Sequence, residues 1–227
     1  MTGYDRRLRL LAACLSAIAG YVDAIGFVSL GGFFVSFMSG NTTRVGVGLA
    51  QSRESAGIAA VLIALFVLGV VLGAFVGRWA KANRRPLVLL LVGGLLMLGA
   101  AAATLQAGHL AIACMVLAMG AENAVFSEDG EVRIGLTYMT GTLVKLGKRI
   151  TAVFYGGDPL GWAPFFMLWL GLLAGAFLGA AAYSQRGLEA LWGAAIAALI
   201  AAAVAAKLGP DPLRQPDFVA STPSTKE

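Results

Sequence analysis

Phe37-Met38-Ser39-Gly40-Asn41-Thr42-Thr43-Arg44-Val45-Gly46 recurs in degenerate form as Tyr138-Met139-Thr140-Gly141-Thr142-Leu143-Val144-Lys145-Leu146-Gly147. At an offset of 101 the methionine, both glycines, the small hydroxyl residue and the cation two positions before the second glycine all return. A short apolar, polar and cationic segment carried twice by a hydrophobic chain points to two matched elements around one site. The repeat extends outward from it in both directions, which is the mark of a duplicated unit. Upstream, Cys14, Gly20 and Ala24 match Cys114, Gly120 and Ala124 at an offset of 100, with Asp23 opposite Asn123. Downstream, Leu68-Gly-Val-Val-Leu-Gly-Ala-Phe-Val-Gly77 matches Leu170-Gly-Leu-Leu-Ala-Gly-Ala-Phe-Leu-Gly179 at an offset of 102, and Gly93 aligns with Gly193.

The medium for this duplicated unit follows from composition. The 227 residues are 59% hydrophobic and 13% charged, with a mean hydropathy of +0.81, whereas soluble domains carry about 25% charged residues. Several uncharged runs approach or exceed the ~20 residues that cross ~30 Å of hydrocarbon as a helix. No run alternates with period two as a barrel strand does, so the chain is read as an all-α integral membrane protein. The net charge of +5 comes from cations flanking apolar runs, where they act as topology determinants and not as a nucleic-acid footprint. Arg6, Arg7 and Arg9 before an apolar run resemble a signal peptide, but the repeat includes that run, so it is read as a retained first span.

Charge also decides how many runs cross. If all eight apolar segments spanned the bilayer from a cytoplasmic N-terminus, Arg6, Arg7, Arg9, Arg53, Lys148, Arg149, Lys207, Arg214 and Lys226 would lie inside. Arg78, Lys81, Arg84, Arg85, Arg133 and Arg186 would lie outside, a weak bias of nine against six. If the two motif segments dip in without crossing, the 78–85 cluster and Arg133 move inside and Arg53 moves outside, giving thirteen against two. The positive-inside rule selects six spans. Three spans per repeat force the halves into opposite orientations, a construction common in secondary transporters, whose sites lie between the repeats.

The expected fold is thus six transmembrane helices as two inverted three-span repeats, each with a re-entrant half-helix. Residues 1–107 form the first repeat, with spans 8–29, 56–80 and 87–106 and a half-helix over 38–50. Residues 108–208 form the second, with spans 109–126, 160–183 and 188–207 and a half-helix over 139–154. The proline-rich stretch 209–227 reads as a disordered cytoplasmic tail.

Candidate site residues come from the motifs and from the charges inside spans. Ser39, Gly40, Asn41 and Thr42, with Thr140, Gly141 and Thr142, sit where the half-helices begin. They can present unpaired N–H groups to an anionic or carbonyl group, or merely cap buried helix starts. Asp23 and Glu122 are carboxylates within apolar runs, where such groups face the bundle interior and pair or titrate. Gly20 and Asp23 share a helix face at i, i+3, and Gly120 and Asn123 repeat it. The two carboxylates can couple transport to protons or pair statically, Asp23 with Arg44 and Glu122 with Lys145. Arg44 and Lys145 in turn can bind an anionic substrate or only neutralise those carboxylates. Gly69, Gly73 and Gly77 and their counterparts Gly171, Gly175 and Gly179 form small-residue stripes for close helix packing. Trp79, Trp162 and Trp192, with Lys148 and Arg149, read as interface anchors.

Other chemistry has no footing. Cys14 and Cys114 fall in apolar runs without ligand spacing and read as buried small side chains, and His109 falls in a short connection. The charged segment Ser127 to Arg133 reads as a solvated loop. No catalytic set, nucleotide-binding loop or metal-ligand spacing is present, so neither enzyme activity nor a cofactor is expected.

The blocks Gly20-Tyr-Val-Asp-Ala-Ile-Gly-Phe27 and Phe34-Val-Ser-Phe-Met-Ser-Gly-Asn-Thr-Thr-Arg44 resemble the N-terminal hallmark of the YoaK-like family of bacterial inner-membrane proteins, a family defined by a domain of unknown function. The resemblance runs from about residue 8 to 207. It implies a bacterial, polytopic inner-membrane protein of about six spans, of a kind often described as a permease, and carries no assigned substrate or functional residue. The expected function is therefore secondary transport of a small solute, with proton coupling open, both termini cytoplasmic, and solute and membrane lipid as partners. A homo-oligomer is left open and nucleic acid is not expected. The alternatives are a channel with facing half-helices and a non-transporting scaffold or sensor.

Overall fold

A computed structural model describes residues 6–128, 131–132 and 135–209. Arg133, Arg214, Lys226 and the tail from 210 lie outside the described residues, as does part of the charged segment after Ser127. The described chain is almost wholly helical: α1 (Arg6–Ser29), α2 (Met38–Gln51), α3 (Arg53–Ala80), α4 (Arg84–Thr104), α5 (Gly108–Glu122), α6 (Met139–Phe154), α7 (Ala163–Arg186) and α8 (Leu191–Leu208). A two-residue hairpin pairs β1 (Ser127–Glu128) with β2 (Glu131–Val132) in antiparallel register. It stands within the stretch read from sequence as a loop.

Three continuous helical stretches are long and apolar enough to cross a membrane: Arg6–Ser29, Arg53–Thr104 and Ala163–Leu208. The second and third are each two helices joined by a short 3-10 turn, Lys81–Asn83 and Gly187–Ala190. Lys81 adopts a φ of 47° at the first of these breaks. The expected span 109–126 is helical only to Glu122, and its 15 residues rise ~22 Å. Residues 123–126 continue as buried turn, tolerable at membrane depth because protein surrounds the freed backbone groups. His109 belongs to the first turn of α5, not to the connection before it.

Where chain direction must reverse after a helix, the same device recurs. The N–H of Gly32 bonds Phe27 O at 2.8 Å, that of Ala107 bonds Ala102 O at 2.8 Å and that of Gly157 bonds Ala152 O at 2.9 Å. Each closes a terminal loop over a left-handed residue, Gly31, Gln106 and Gly156. Glycine marks two of these ends in the sequence, and Gln106 marks the third without that cue.

Lipid tails are as apolar as leucine, so helix association here depends on close backbone approach. The most extensive interface is α1 on α7, with α4 on α8, α4 on α5 and α3 on α5 following. Gly171 faces Ala13, Gly175 faces Ala17 and Gly179 faces Tyr21, each against the carbonyl oxygen. The constant difference means α1 and α7 run parallel. Gly69 against Leu117 and Gly73 against Ala121 give the same relation between α3 and α5. In contrast, Gly93 meets Leu199 while Gly99 meets Leu191, so α4 and α8 run antiparallel.

These contacts shift the register read from sequence. Under the offset of 100 that relates α1 to α5, the partners of Gly69 and Gly73 correspond to the partners of Gly175 and Gly179. The contact equivalence of α3 and α7 is therefore one helical turn away from the best sequence match, which pairs Gly69 with Gly171. Glycines four apart present the same notch after a one-turn slide, so the pattern cannot distinguish the two registers.

The core lies where α1, α4, α5 and α8 meet, and Leu15, Ala19, Val22, Leu96, Met115 and Leu191 are fully enclosed there. Cys114 is buried, but Cys14 is exposed on the outer face of α1, contrary to the expectation for both. The outward-facing Phe75, Trp79 and Phe177 are each 70% or more exposed, as lipid-facing side chains would be.

Candidate functional site

In the first half the site is organised by the loop between α1 and α2. Asp23 Oδ1 accepts the N–H groups of Val35 at 2.9 Å and Ser36 at 2.8 Å. From the other side of the loop, Asn41 closes a second clasp. Its Oδ1 accepts the N–H of Phe34 at 3.1 Å and its Nδ2 donates to Phe34 O at 2.7 Å. The fully buried Asn41 thus holds the half-buried Phe34 by both of its backbone groups, which satisfies polar backbone outside any helix. Met38 begins α2, and its cap residue Phe37 makes no side-chain capping bond. Ser39, Gly40 and Asn41 lie inside the first turn and Thr42 opens the second, and the hydroxyls of Thr42 and Thr43 bond back to Met38 O and Ser39 O. None of them caps the helix, because Asn41 is committed to the loop.

Arg44 places its guanidinium 4.7 Å from the centre of the Phe33 ring, a cation–π contact. A Cβ on Gly32 would come within 2.9 Å of Arg44 Nη2, so glycine at 32 leaves the room that the guanidinium uses. Arg44 and Asp23 hold the same loop, yet they form no ion pair, and the static pairing considered for them is not realised. Thr43 and Arg44 also line a shallow cleft with Gln51 and Ser55, between α2 and the start of α3.

The second half does not copy this. Glu122 is 1% exposed, and neither of its carboxyl oxygens has a hydrogen-bond partner. Lys145 is exposed on α6 and is not paired with it. Asn123, the counterpart of Asp23, donates through Nδ2 to Met119 O at 3.0 Å. Thr142 is buried and bonds back to Tyr138 O at 3.2 Å, while Thr140 and Gly141 are exposed. The structure therefore groups Asp23, Asn41 and Arg44 around one loop, and leaves Glu122 and Lys145 apart.

Two polar anchors escaped the sequence reading. Ser16 Oγ, near the midpoint of α1, bonds Leu136 O at 3.2 Å and Leu168 O at 3.0 Å, tying the loop before α6 to α7. Tyr21 Oη donates to Ala190 O at 2.9 Å. The signal for Ser16 was available: it is a hydroxyl in an apolar run, two turns before Asp23 on the same face. Among the described residues no group of three or more His, Cys, Asp or Glu side chains is placed to hold a metal ion.

Comparison with known proteins agrees with the membrane reading. The family described as "Protein of unknown function (DUF1275)" matches residues 11–204. The UPF0700 transmembrane protein RA0705 of Rhizobium meliloti (strain 1021) is 38% identical over 197 residues, covering 86% of this chain and 84% of its own. The UPF0700 transmembrane protein YoaK of Bacillus subtilis (strain 168) is 29% identical over 151 residues, 62% of this chain and 66% of its own. No solved structure matches the chain significantly. An integral membrane helix bundle whose hallmark blocks hold the loop before α2, matched from residue 11 to 204, belongs to the DUF1275 family of YoaK-like transmembrane proteins.

Proposed function

We propose that this protein is a non-enzymatic secondary transporter of a small solute, coupled to protons through Glu122 and built from two inverted three-span repeats. The observation that carries transport is the Glu122 carboxyl, enclosed at the end of α5 with no partner for either oxygen. A permanently charged carboxylate in such a place costs several kcal/mol, so a group kept there is expected to gain and lose a proton as its surroundings change. Asp23, engaged by two backbone donors, reads better as the clasp of the α2 loop.

The helix directions support the inverted arrangement. Six alternating crossings by α1, α3, α4, α5, α7 and α8 make α1 parallel to α7, α3 parallel to α5, and α4 antiparallel to α8. Eight crossings would make α4 and α8 parallel. The lengths support a half-helix, since the 14 residues of α2 pack back along the first half of the 28-residue α3. In this reading both termini face the cytoplasm across the inner membrane, and the glycine-lined α1–α7 and α3–α5 contacts are the surfaces on which the halves rock.

The test begins with a thermal-shift screen of purified protein against small metabolites, since a ligand that binds only the folded state stabilises it by mass action. In proteoliposomes a binder is then followed in two modes. Glu122→Gln should retain counterflow exchange and lose accumulation driven by a pH gradient. Accumulation at the wild-type level in that variant removes Glu122 from coupling, and an unsaturable ionic conductance replaces the transporter with a channel.

A further inference from the structure

The helix that the second repeat places where the first has α2 is constructed differently. Apart from Thr142, the side chains of α6 are exposed or only partly covered, and α6 is the most strongly amphipathic of the helices. Met139, Leu143, Leu146 and Ile150 recur at i, i+4, i+7 and i+11 along one face. Lys145, Lys148 and Arg149 occupy the other and are exposed. No acidic residue lies in α6, and the next acid, Asp158, is occupied with the N–H of Leu160 at 3.0 Å. None of the three cations has an ion-pair partner among the described residues. In α2 the only cation is Arg44, which is spent on the Phe33 ring.

Position along the helix gives these cations a common level. The loop before α6 is tied to Ser16, near the midpoint of α1. From Met139, Lys145 lies ~9 Å and Arg149 ~15 Å further along the axis at 1.5 Å per residue, about half of a ~30 Å hydrocarbon layer. A helix that starts near the midplane therefore brings Lys148 and Arg149 to the headgroup level, with Lys145 reaching it along its four-carbon stem, while Leu143, ~6 Å along the axis, faces acyl chains.

We propose that Lys145, Lys148 and Arg149 on α6 form a binding surface for anionic phospholipid headgroups, which holds this loosely packed helix in place. The proposal rests on the half-helix placement of α6 given above. Charge complementarity identifies the partner: three clustered cations with no ion-pair partner among the described residues match a surface of lipid phosphates, and basic groups near such a surface each gain interaction energy.

The full chain in nanodiscs of phosphatidylcholine alone, or with 30 mol% (roughly a third) phosphatidylglycerol, tests this by hydrogen exchange. Anionic lipid should raise protection of α6 amides, by at most about fivefold per cation, and leave α4 unchanged. The increment should vanish in the Lys145→Gln/Lys148→Gln/Arg149→Gln variant and persist in Arg44→Gln. Equal α6 protection in both lipids, an increment that survives the triple substitution, or the same protection given by inorganic phosphate in neutral discs overturns the proposal. The half-helix placement is tested separately by thiol-reagent access to Gly141→Cys and Thr151→Cys in a chain lacking Cys14 and Cys114. Reagent should reach 151 from one side only and leave 141 unlabelled, whatever the lipid.

Discussion

Two substitutions of glycine by alanine on the same helix should act in opposite directions. In α3, a Cβ at Gly73 would lie 2.6 Å from Ala121 O and 2.8 Å from Ala121 Cα. Ordinary van der Waals contact begins at 3.4 Å, so α3 and α5 would have to part by about 0.8 Å at a point where both neighbours are backbone, and backbone cannot swing aside as a long side chain can. Overpacking of this kind costs roughly 1–3 kcal/mol. Alanine recovers about 1 kcal/mol of helix propensity, leaving a net loss of roughly 1 kcal/mol. Gly57, four turns earlier, has nothing within 4 Å of its Cβ position, so Gly57→Ala should gain up to about 1 kcal/mol. Thermal unfolding of both variants in one lipid or detergent reads the difference directly. If Gly73→Ala is as stable as Gly57→Ala, the parallel backbone contact of α3 on α5 is wrong, and with it the register of the repeat.

Three further outcomes follow from the polar groups and the turns. Asp23→Ala strips two buried N–H donors of their acceptor and should cost about 3 kcal/mol, with Asp23→Asn costing less because an amide oxygen can still accept; unfolding midpoints that rank the two variants the other way would remove Asp23 from the clasp. Glu122→Gln should leave thermal stability within about 1 kcal/mol of wild type, because the carboxyl has no partner to lose, whereas breaking a buried ion pair would cost about 3–5 kcal/mol. Gln106, at a φ of 61°, holds a left-handed position that glycine fills at less cost, so Gln106→Gly should raise the unfolding midpoint by the equivalent of roughly 0.5–1 kcal/mol, an effect lost if the terminal turn of α4 is not closed through Ala107.

The site was legible to an uneven degree. Asp23, Asn41 and Arg44 stand out in sequence because a carboxylate, an amide and a guanidinium inside apolar runs need partners, and all three prove to hold the loop from Phe33 to Ser36. Which partner each takes was not legible. Opposite charges 21 residues apart suggested a pair, but backbone N–H groups of the intervening loop satisfy the carboxyl, and an aromatic ring faces the guanidinium. Tyr21 carries no pattern of its own in the sequence, and although Ser16 shares a face with Asp23, the partners of both are carbonyls more than a hundred residues away, which no local spacing marks.

The sequence by itself determined the membrane character and the helical content, and it carries matching motifs at offsets of 100 to 102, because hydrophobic length and internal similarity are properties of residue order alone. It also set the recurrence of the motif from Phe37 to Gly46, which marks the starts of α2 and α6. Tertiary structure alone decided that the first helix of each half packs on the glycine-lined helix of the other. It also decided that α3 and α7 correspond one turn away from their best sequence match, and that the two motif helices differ, α2 clasped into the bundle and α6 lying largely open. The physical reason is that a stripe of glycines at i, i+4, i+8 repeats itself with every turn. Only the carbonyl that fills each notch picks the register, and that carbonyl belongs to the other half of the chain.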